Sequence, residues 1–478
     1  MATQVGGVAA QGRPTRRELI GGAIALGAGL TLTPGSIKAA DLPSRGAFII
    51  RNAHVLTMDR GLGDLERGDI HVRNSSIVAV GPDLPAEGAE VIDARTMIAL
   101  PGLVDSHTHI WTTTLRNIVK EGPKKGYFTT VMALGKEYTP EDSYRGVRLG
   151  CAEMINSGVT TTQNFAHNVR SPEHARAELR AMADCGIRGR FSYGHHHGGP
   201  PPDQPMDLTD IESLQKNWSS FSNEGLLSLG FAARVFSRTG LPAVHPMTLE
   251  TARRDWDNVR ALGLPITAHI SGDIEFLQRE GMLGLDIQVL GTRGMEGRDF
   301  EIIKRTGTHL SVAPFSDMRY SYTLPKLVEA LKLDITVSLG VDTAPVAGSN
   351  NLFEAMRRAM DTQFVRTKDP MSVSARQVLE MATINGAWDM GVADKVGSLV
   401  PGKRADLILL RTTDLNMAPL GDPATAVVRS AQPINVDTVV IDGRILKLGG
   451  RLGALNVEEI VAQAAESLAE LRQRAHWS

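Results

Sequence analysis

The chain has 478 residues with 51 Lys plus Arg against 53 Asp plus Glu, so it carries no electrostatic case for nucleic acid or an anionic membrane surface. Apolar residues at 42% and charged residues at 22% are ordinary for a soluble globular protein, and the length calls for one large domain with a smaller companion. Cys151 and Cys185 are the 2 cysteines, each in a helix-like stretch without CxxC spacing, which excludes a disulfide framework and reads as two buried small side chains.

In chain order, Thr15-Arg16-Arg17-Glu18-Leu19-Ile20 precedes the run GGAIALGAGLTL, then Pro34 and Lys38-Ala39-Ala40. A charged start, a short glycine-rich apolar run and small residues are the layout of an export signal over residues 1–40, and the paired arginines make it twin-arginine-like. The run is too short and glycine-rich to span a bilayer well. The expectation is an exported protein, periplasmic or extracellular, with no stable membrane anchor after cleavage. Next come AFIIRNAHVLTM, GDIHVRNSSIVAVG and AEVIDARTMIALPG, whose alternation reads as antiparallel strands. ADLILLRT (405–412) and VDTVVIDGRILKLGG (436–450) have the same character. A small β-sandwich domain built from both chain ends, residues 45–102 plus 396–452, is therefore expected.

Residues 103–395 alternate differently. Strands are predicted at GLVDSHTH, GVTTTQNF, GIRGRFSYG, LLSLGFAAR, PITAHIS, DIQVLG, THLSVAP and ITVSLGVD, with helical patterns such as SPEHARAELRAMADCG and TLETARRDWDNVRALG between them. Eight strand–helix repeats predict an α/β fold, a (β/α)8 TIM barrel, with site residues at the C-terminal tips of the strands. The tail (455–478) is predicted as a helix with Asn456 as N-cap and Val457, Ile460, Val461, Ala464, Leu468 and Leu471 on one stripe facing the body or a second subunit.

The strongest chemical signal is Pro101-Gly102-Leu103-Val104-Asp105-Ser106-His107-Thr108-His109. Residues i and i+2 of a strand point the same way, so His107 and His109 can offer two imidazoles to one ion. This run resembles the first-strand motif of the amidohydrolase superfamily, in its chlorohydrolase and aminohydrolase (deaminase-like) branch. Gly158-Val159-Thr160-Thr161-Thr162, Ile266-Thr267-Ala268-His269, Leu339-Gly340-Val341-Asp342 and Gly397-Ser398-Leu399-Val400-Pro401-Gly402-Lys403 extend the resemblance over nearly the whole mature chain.

The resemblance implies a metal held by His107, His109, His269 and Asp342. It implies one divalent ion, since the fifth-strand lysine of a two-metal site is not evident. Zinc suits three imidazoles and a carboxylate, with iron and manganese as alternatives. The implied chemistry is attack by metal-bound hydroxide on a non-peptide carbon–nitrogen bond of a small cyclic or heteroaromatic substrate, with Asp342 also taking the proton of the water. Hydrolytic dehalogenation, a lyase reaction, or an inactive exported binding relative are the alternatives. A homo-oligomer is expected by analogy.

The match fails at two places. Gly272 stands where many relatives have a glutamate three residues beyond the fifth-strand histidine, and Gly291 stands where the family has its sixth-strand histidine. His167, ending the second strand, is the expected replacement acid or base. Asp317 and the triplet His195, His196 and His197 are weaker candidates. Tyr193, Arg234 and Arg319 are candidate substrate contacts, and Gly198–Pro202 is a candidate flap.

Overall fold

The computed structural model describes residues 42–120, 126–197, 199–235, 247–270, 272–319 and 323–477. The expected export signal and Gly198 of the candidate flap lie outside these residues. Among the described residues, no helix is long and apolar enough to cross a membrane.

Eight parallel strands form one sheet in sequence order: Leu103–Thr108, Val159–Val169, Arg188–His195, Leu227–Ala232, Ile266–His269, Ile287–Leu290, His309–Val312 and Val337–Leu339. Strands covered on both faces should be buried throughout, and the second strand is buried at all 11 positions. Helices alternate with the strands. Pro140–Asn156 starts on a Thr139/Asp142 capping box, and Pro172–Cys185 stops at Gly186, whose φ of 70° ends a helix without steric cost.

The sheet closes at its two ends through backbone. The Asp342 N–H donates to the His107 carbonyl at 2.9 Å, and the His109 N–H donates to the Asp342 carbonyl at 2.6 Å. The Ser106 hydroxyl donates to the Leu339 carbonyl at 2.9 Å just below. Asp342 adopts φ 68° to make this turn, a left-handed conformation that Asp and Asn tolerate better than most residues.

The second sheet has nine strands drawn from both chain ends. Met97–Pro101 leads straight into the first barrel strand and pairs antiparallel with Leu407–Arg411, which is how the returning chain finds the leaving one. Phe48, Ile50, Ile70, Val72, Leu407, Leu409 and Val440 form its own apolar core. The sheet is mixed rather than antiparallel, which corrects the strand-direction expectation. Ala47–Val55 runs parallel to both Glu90–Asp93 and Met97–Pro101, because the chain crosses over after Ser76–Gly81 and re-enters in the same direction. Alternation reports a half-buried strand and says nothing about its direction.

The two sheets are tied by a buried ion network. Arg188 at the start of the third barrel strand donates to both carboxylate oxygens of Asp406, at 2.7 and 3.0 Å, and to Asp442 at 3.2 Å.

The C-terminal helix Val457–Arg474 is N-capped by Asn456 and packs on Pro140–Asn156. Ile460, Ala464 and Leu471 are buried, and Ser467 donates to Asp142 at 2.6 Å. Val457 and Val461, expected on the same stripe, are 47% and 54% exposed. The contact is a narrow seam, and ion pairs such as Arg145–Glu466 take over at its edge.

Candidate active site

The C-terminal tips of the barrel strands surround a cavity of about 440 Å³. His107 and His109 arrive from the first strand, His269 from the end of the fifth, and Asp342 from just beyond the eighth. One ligand atom from each lies within 4.8 Å of the others. Gly102 explains how the first strand can enter so close to the second: a Cβ there would lie 2.0 Å from the Thr160 hydroxyl oxygen.

Asp342 Oδ1 sits 3.0 Å from Nε2 of both His107 and His109. The Ser316 hydroxyl donates to its other oxygen. Burial alone would raise the Asp342 carboxyl, but the His107 and His109 imidazoles beside it hold it well below the ordinary range. His109 Nδ1 lies 3.1 Å from the Phe165 carbonyl. A carbonyl only accepts, so Nδ1 carries the proton and the Nε2 lone pair points to the carboxylate. His107 Nδ1 is buried with no hydrogen-bond partner. Burial lowers the pKa of both His107 and His269, and neighbouring imidazoles lower them further. Neutral imidazoles beside an ionised carboxylate are the protonation state that a divalent ion requires, so the donor set fits one.

His167, also buried, lies beside this set, its ring 4.2 Å from that of His109 and 4.6 Å from that of His197. The Trp111 indole N–H, a donor, and the Phe165 carbonyl, an acceptor, both lie 3.4 Å from His167 Nδ1, so these two contacts favour opposite tautomers of the ring. Burial, then His109 and His197, holds His167 well below its usual pKa. His195, His196 and His197 all line the cavity, as do Asp317 and Arg293. Phe165, Tyr127, Phe128, Met132 and Leu290 supply apolar wall.

Other expected contacts fall elsewhere. Tyr193 gives its hydroxyl to Asp210 at 3.0 Å and does not line the cavity. Arg319 donates to the Val346 carbonyl. Arg234 lines the cavity, but its guanidinium is spent on Asp255 and the carbonyls of Pro200, Pro201 and Gln204, so it straps the proline run in place. Sequence reasoning missed the parts played by Ser316, Phe165, Trp111 and Arg293. Phe165 sits in a run already singled out and Ser316 beside Asp317, yet a carbonyl or hydroxyl contact across the barrel leaves no mark in sequence.

Gly272 and Gly291 have φ of 69° and 81°, so both sit in backbone conformations that suit glycine. Neither position offers a side chain to the reaction.

An eight-stranded parallel barrel with three histidines and an aspartate converging at its C-terminal mouth defines a metal-dependent TIM-barrel hydrolase. The family pattern of the amidohydrolases matches residues 98–446, and the chain belongs to the amidohydrolase family. It is 27% identical over 424 residues to a 5'-deoxyadenosine deaminase of Methanobrevibacter smithii, covering 85% of this chain and 94% of that one. It is 29% identical to a 5-methylthioadenosine/S-adenosylhomocysteine deaminase of Pelotomaculum thermopropionicum, covering 89% of this chain and 99% of that one. Among solved structures, an adenosine deaminase from Xanthomonas campestris with bound zinc superposes with a TM-score of 0.76 at 19% identity, covering 90% of this chain and 100% of that one. Atrazine chlorohydrolase from Arthrobacter aurescens complexed with zinc gives 0.75 at 20% identity, covering 88% and 100%. These last two likenesses speak for the fold.

Proposed function

We propose that this amidohydrolase removes an amino group from a small heteroaromatic substrate by hydrolysis, using one zinc ion held by His107, His109, His269 and Asp342. The observation that carries the reading is the approach of those four ligand atoms to within 4.8 Å at the floor of the cavity. The deaminase relatives support the reaction type, and the cavity suits a flat ring: Phe165 and Leu290 offer apolar contact while the imidazoles and Asp317 offer polar edges.

A divalent ion in such a pocket acidifies water, so that a nucleophile exists near neutral pH. The other tasks fall to the chain itself. Asp342 is ionised and accepts the water's proton. The Ser316 hydroxyl fixes the direction of its carboxylate. The Phe165 carbonyl holds His109 in one tautomer. His167, kept neutral by burial and by His109 and His197, donates a hydrogen bond from its ring N–H to the ring heteroatom beside the attacked carbon and draws charge away from it. The N-terminal arginine pair supports export, which N-terminal sequencing of the mature protein tests directly.

The test of function is metal content together with ammonia release from 5'-deoxyadenosine, 5'-methylthioadenosine and a panel of amino-heteroarenes. About one equivalent of zinc, with turnover lost on removing it, is the expected result. A wild-type protein that binds no divalent ion would refute the reading, as would a loaded protein inert on every amino-heteroarene.

A further inference from the structure

Asp317 stands out among the cavity-lining groups. It lies in the short helix Pro314–Arg319 after the seventh strand and is only 6% exposed. Its backbone carbonyl is used by the Thr323 N–H, but its Oδ2 has no hydrogen-bond partner among the described residues. A buried carboxyl oxygen left unpaired is costly, and buried polar atoms in native proteins are nearly always satisfied. Such an atom at the wall of a cavity is a place for a ligand donor.

Gly291, at the tip of the sixth strand, explains how the carboxyl comes to be there. A Cβ at Gly291 would lie 3.2 Å from Asp317 Oδ1, and among the described residues, chain neighbours apart, no other atom comes within 4 Å of it. The carboxyl of the seventh-strand helix thus takes up the space into which a sixth-strand side chain would have grown. Burial, then the charge of Asp342, pushes Asp317 up to about 7, so a large fraction of it holds a proton at neutral pH. Asp342, His269 and Arg293 are among the titratable and charged groups that line the same cavity, and the Asp342 charge acts on Asp317 directly.

We propose that Asp317 is a second catalytic carboxyl of this site, contacting the departing nitrogen of the substrate and giving it a proton. This rests on the deaminase reading above. The balance is simple. Water adds to the ring carbon and its proton passes to Asp342. The C–N bond breaks as the Asp317 proton moves to nitrogen, ammonia leaves, and the proton held by Asp342 restores Asp317. No oxidant or reductant is needed. Asp317 lies on the seventh-strand side of the Asp342 carboxylate and His167 on the second-strand side, so the two groups divide the work: one serves the leaving group, the other the ring heteroatom.

The test compares zinc-loaded wild type with Asp317→Asn on two substrates that differ only in the leaving group, adenosine and 6-chloropurine riboside, and likewise on other amino/chloro pairs. Chloride leaves without a proton and ammonia does not. General acid catalysis contributes about 10²–10⁴-fold, so ammonia release should fall by at least about 100-fold while chloride release changes by less than about fivefold. Zinc content should be unchanged. Where a pair is bound without turnover, calorimetry is the readout: Asp317→Ala should weaken the amino partner alone. Equal losses on both leaving groups, or undiminished ammonia release, would overturn the assignment while leaving the deaminase reading intact. If no pair is bound or turned over by the loaded wild type, both readings fall. A variant that unfolds is replaced by Asp317→Ser, judged by the same ratio of the two leaving groups.

Discussion

Replacing Asp342 by Asn separates what its carboxylate does from what its backbone does. The backbone closes the barrel at φ 68° through the His107 and His109 hydrogen bonds, and Asn tolerates that conformation, so closure should survive. The carboxylate accepts from the Ser316 hydroxyl and, at 3.0 Å, from His107 Nε2. Hydrogen bonds to charged groups contribute about 1.5–3 kcal/mol each, while keeping the ion buried costs several kcal/mol. These offset, and the metal-free Asn variant should differ from wild type by only about 1 kcal/mol. Metal binding has no such offset. Losing even an outer hydrogen-bond partner of a ligand weakens a site about 10–100-fold, so losing the one anionic donor should cost at least about 100-fold, or about 2.7 kcal/mol. Asp342→Ala should show the same metal loss plus about 1–2 kcal/mol for a non-glycine residue without a polar side chain in the left-handed region. Chelator competition gives the affinities and thermal denaturation of the metal-free proteins gives the stabilities. Zinc bound by the Asn variant within threefold of wild type would refute the claim that Asp342 is a ligand.

Three other outcomes are expected. Arg188→Ala leaves Asp406 buried without its cation, while Asp442 keeps Arg45 at 2.6 Å, and should destabilise the protein by about 3–5 kcal/mol in chemical denaturation, with zinc content unaltered; a loss below about 1 kcal/mol would mean that the network does not tie the sheets together. Glu178 is buried, accepts only from Asn164 at 2.7 Å, and is pushed by burial from 4.5 up to about 8. The folded state therefore holds more protons than the unfolded one between those values, and stability falls as pH rises through that window. Glu178→Gln should reduce this slope, with the part due to the similarly raised Asp105 and Asp317 remaining, which denaturation at several pH values reads directly. Trp111→Phe removes the donor facing His167 Nδ1. It should lower kcat with metal content and KM nearly unchanged; an unchanged kcat would show that the Trp111 contact to His167 does not matter to the reaction.

The strand pattern of residues 103–395 was sufficient to specify the barrel, because eight apolar runs separated by amphipathic helices have few other ways to bury themselves. The small domain was legible as strands from both ends, since each run alternates over a half-buried surface. Its strand directions were not, because Glu90–Asp93 and Met97–Pro101 would alternate identically either way round. The tail helix was placed, but its contact face was drawn too wide: a stripe shows which residues can be buried, and the neighbouring helix decides which are.

The four residues gathered at the cavity floor could all be named from sequence, because the strand-tip motifs resemble those of the amidohydrolases and the resemblance implies that ligand set. His167 could be named because it ends the second strand. What no sequence pattern could supply was the relation between elements far apart in the chain. Asp317 lies against Gly291, Ser316 against Asp342, and Trp111 against His167. Tyr193 and Arg319 have the right chemistry but spend it on Asp210 and Val346. The sequence by itself determined the barrel and the residues that its strand tips carry, since hydrophobic periodicity and a short local motif are written in consecutive positions. The tertiary structure alone decided which polar groups stay unspent at the cavity, since that depends on partners that only folding brings within hydrogen-bonding distance.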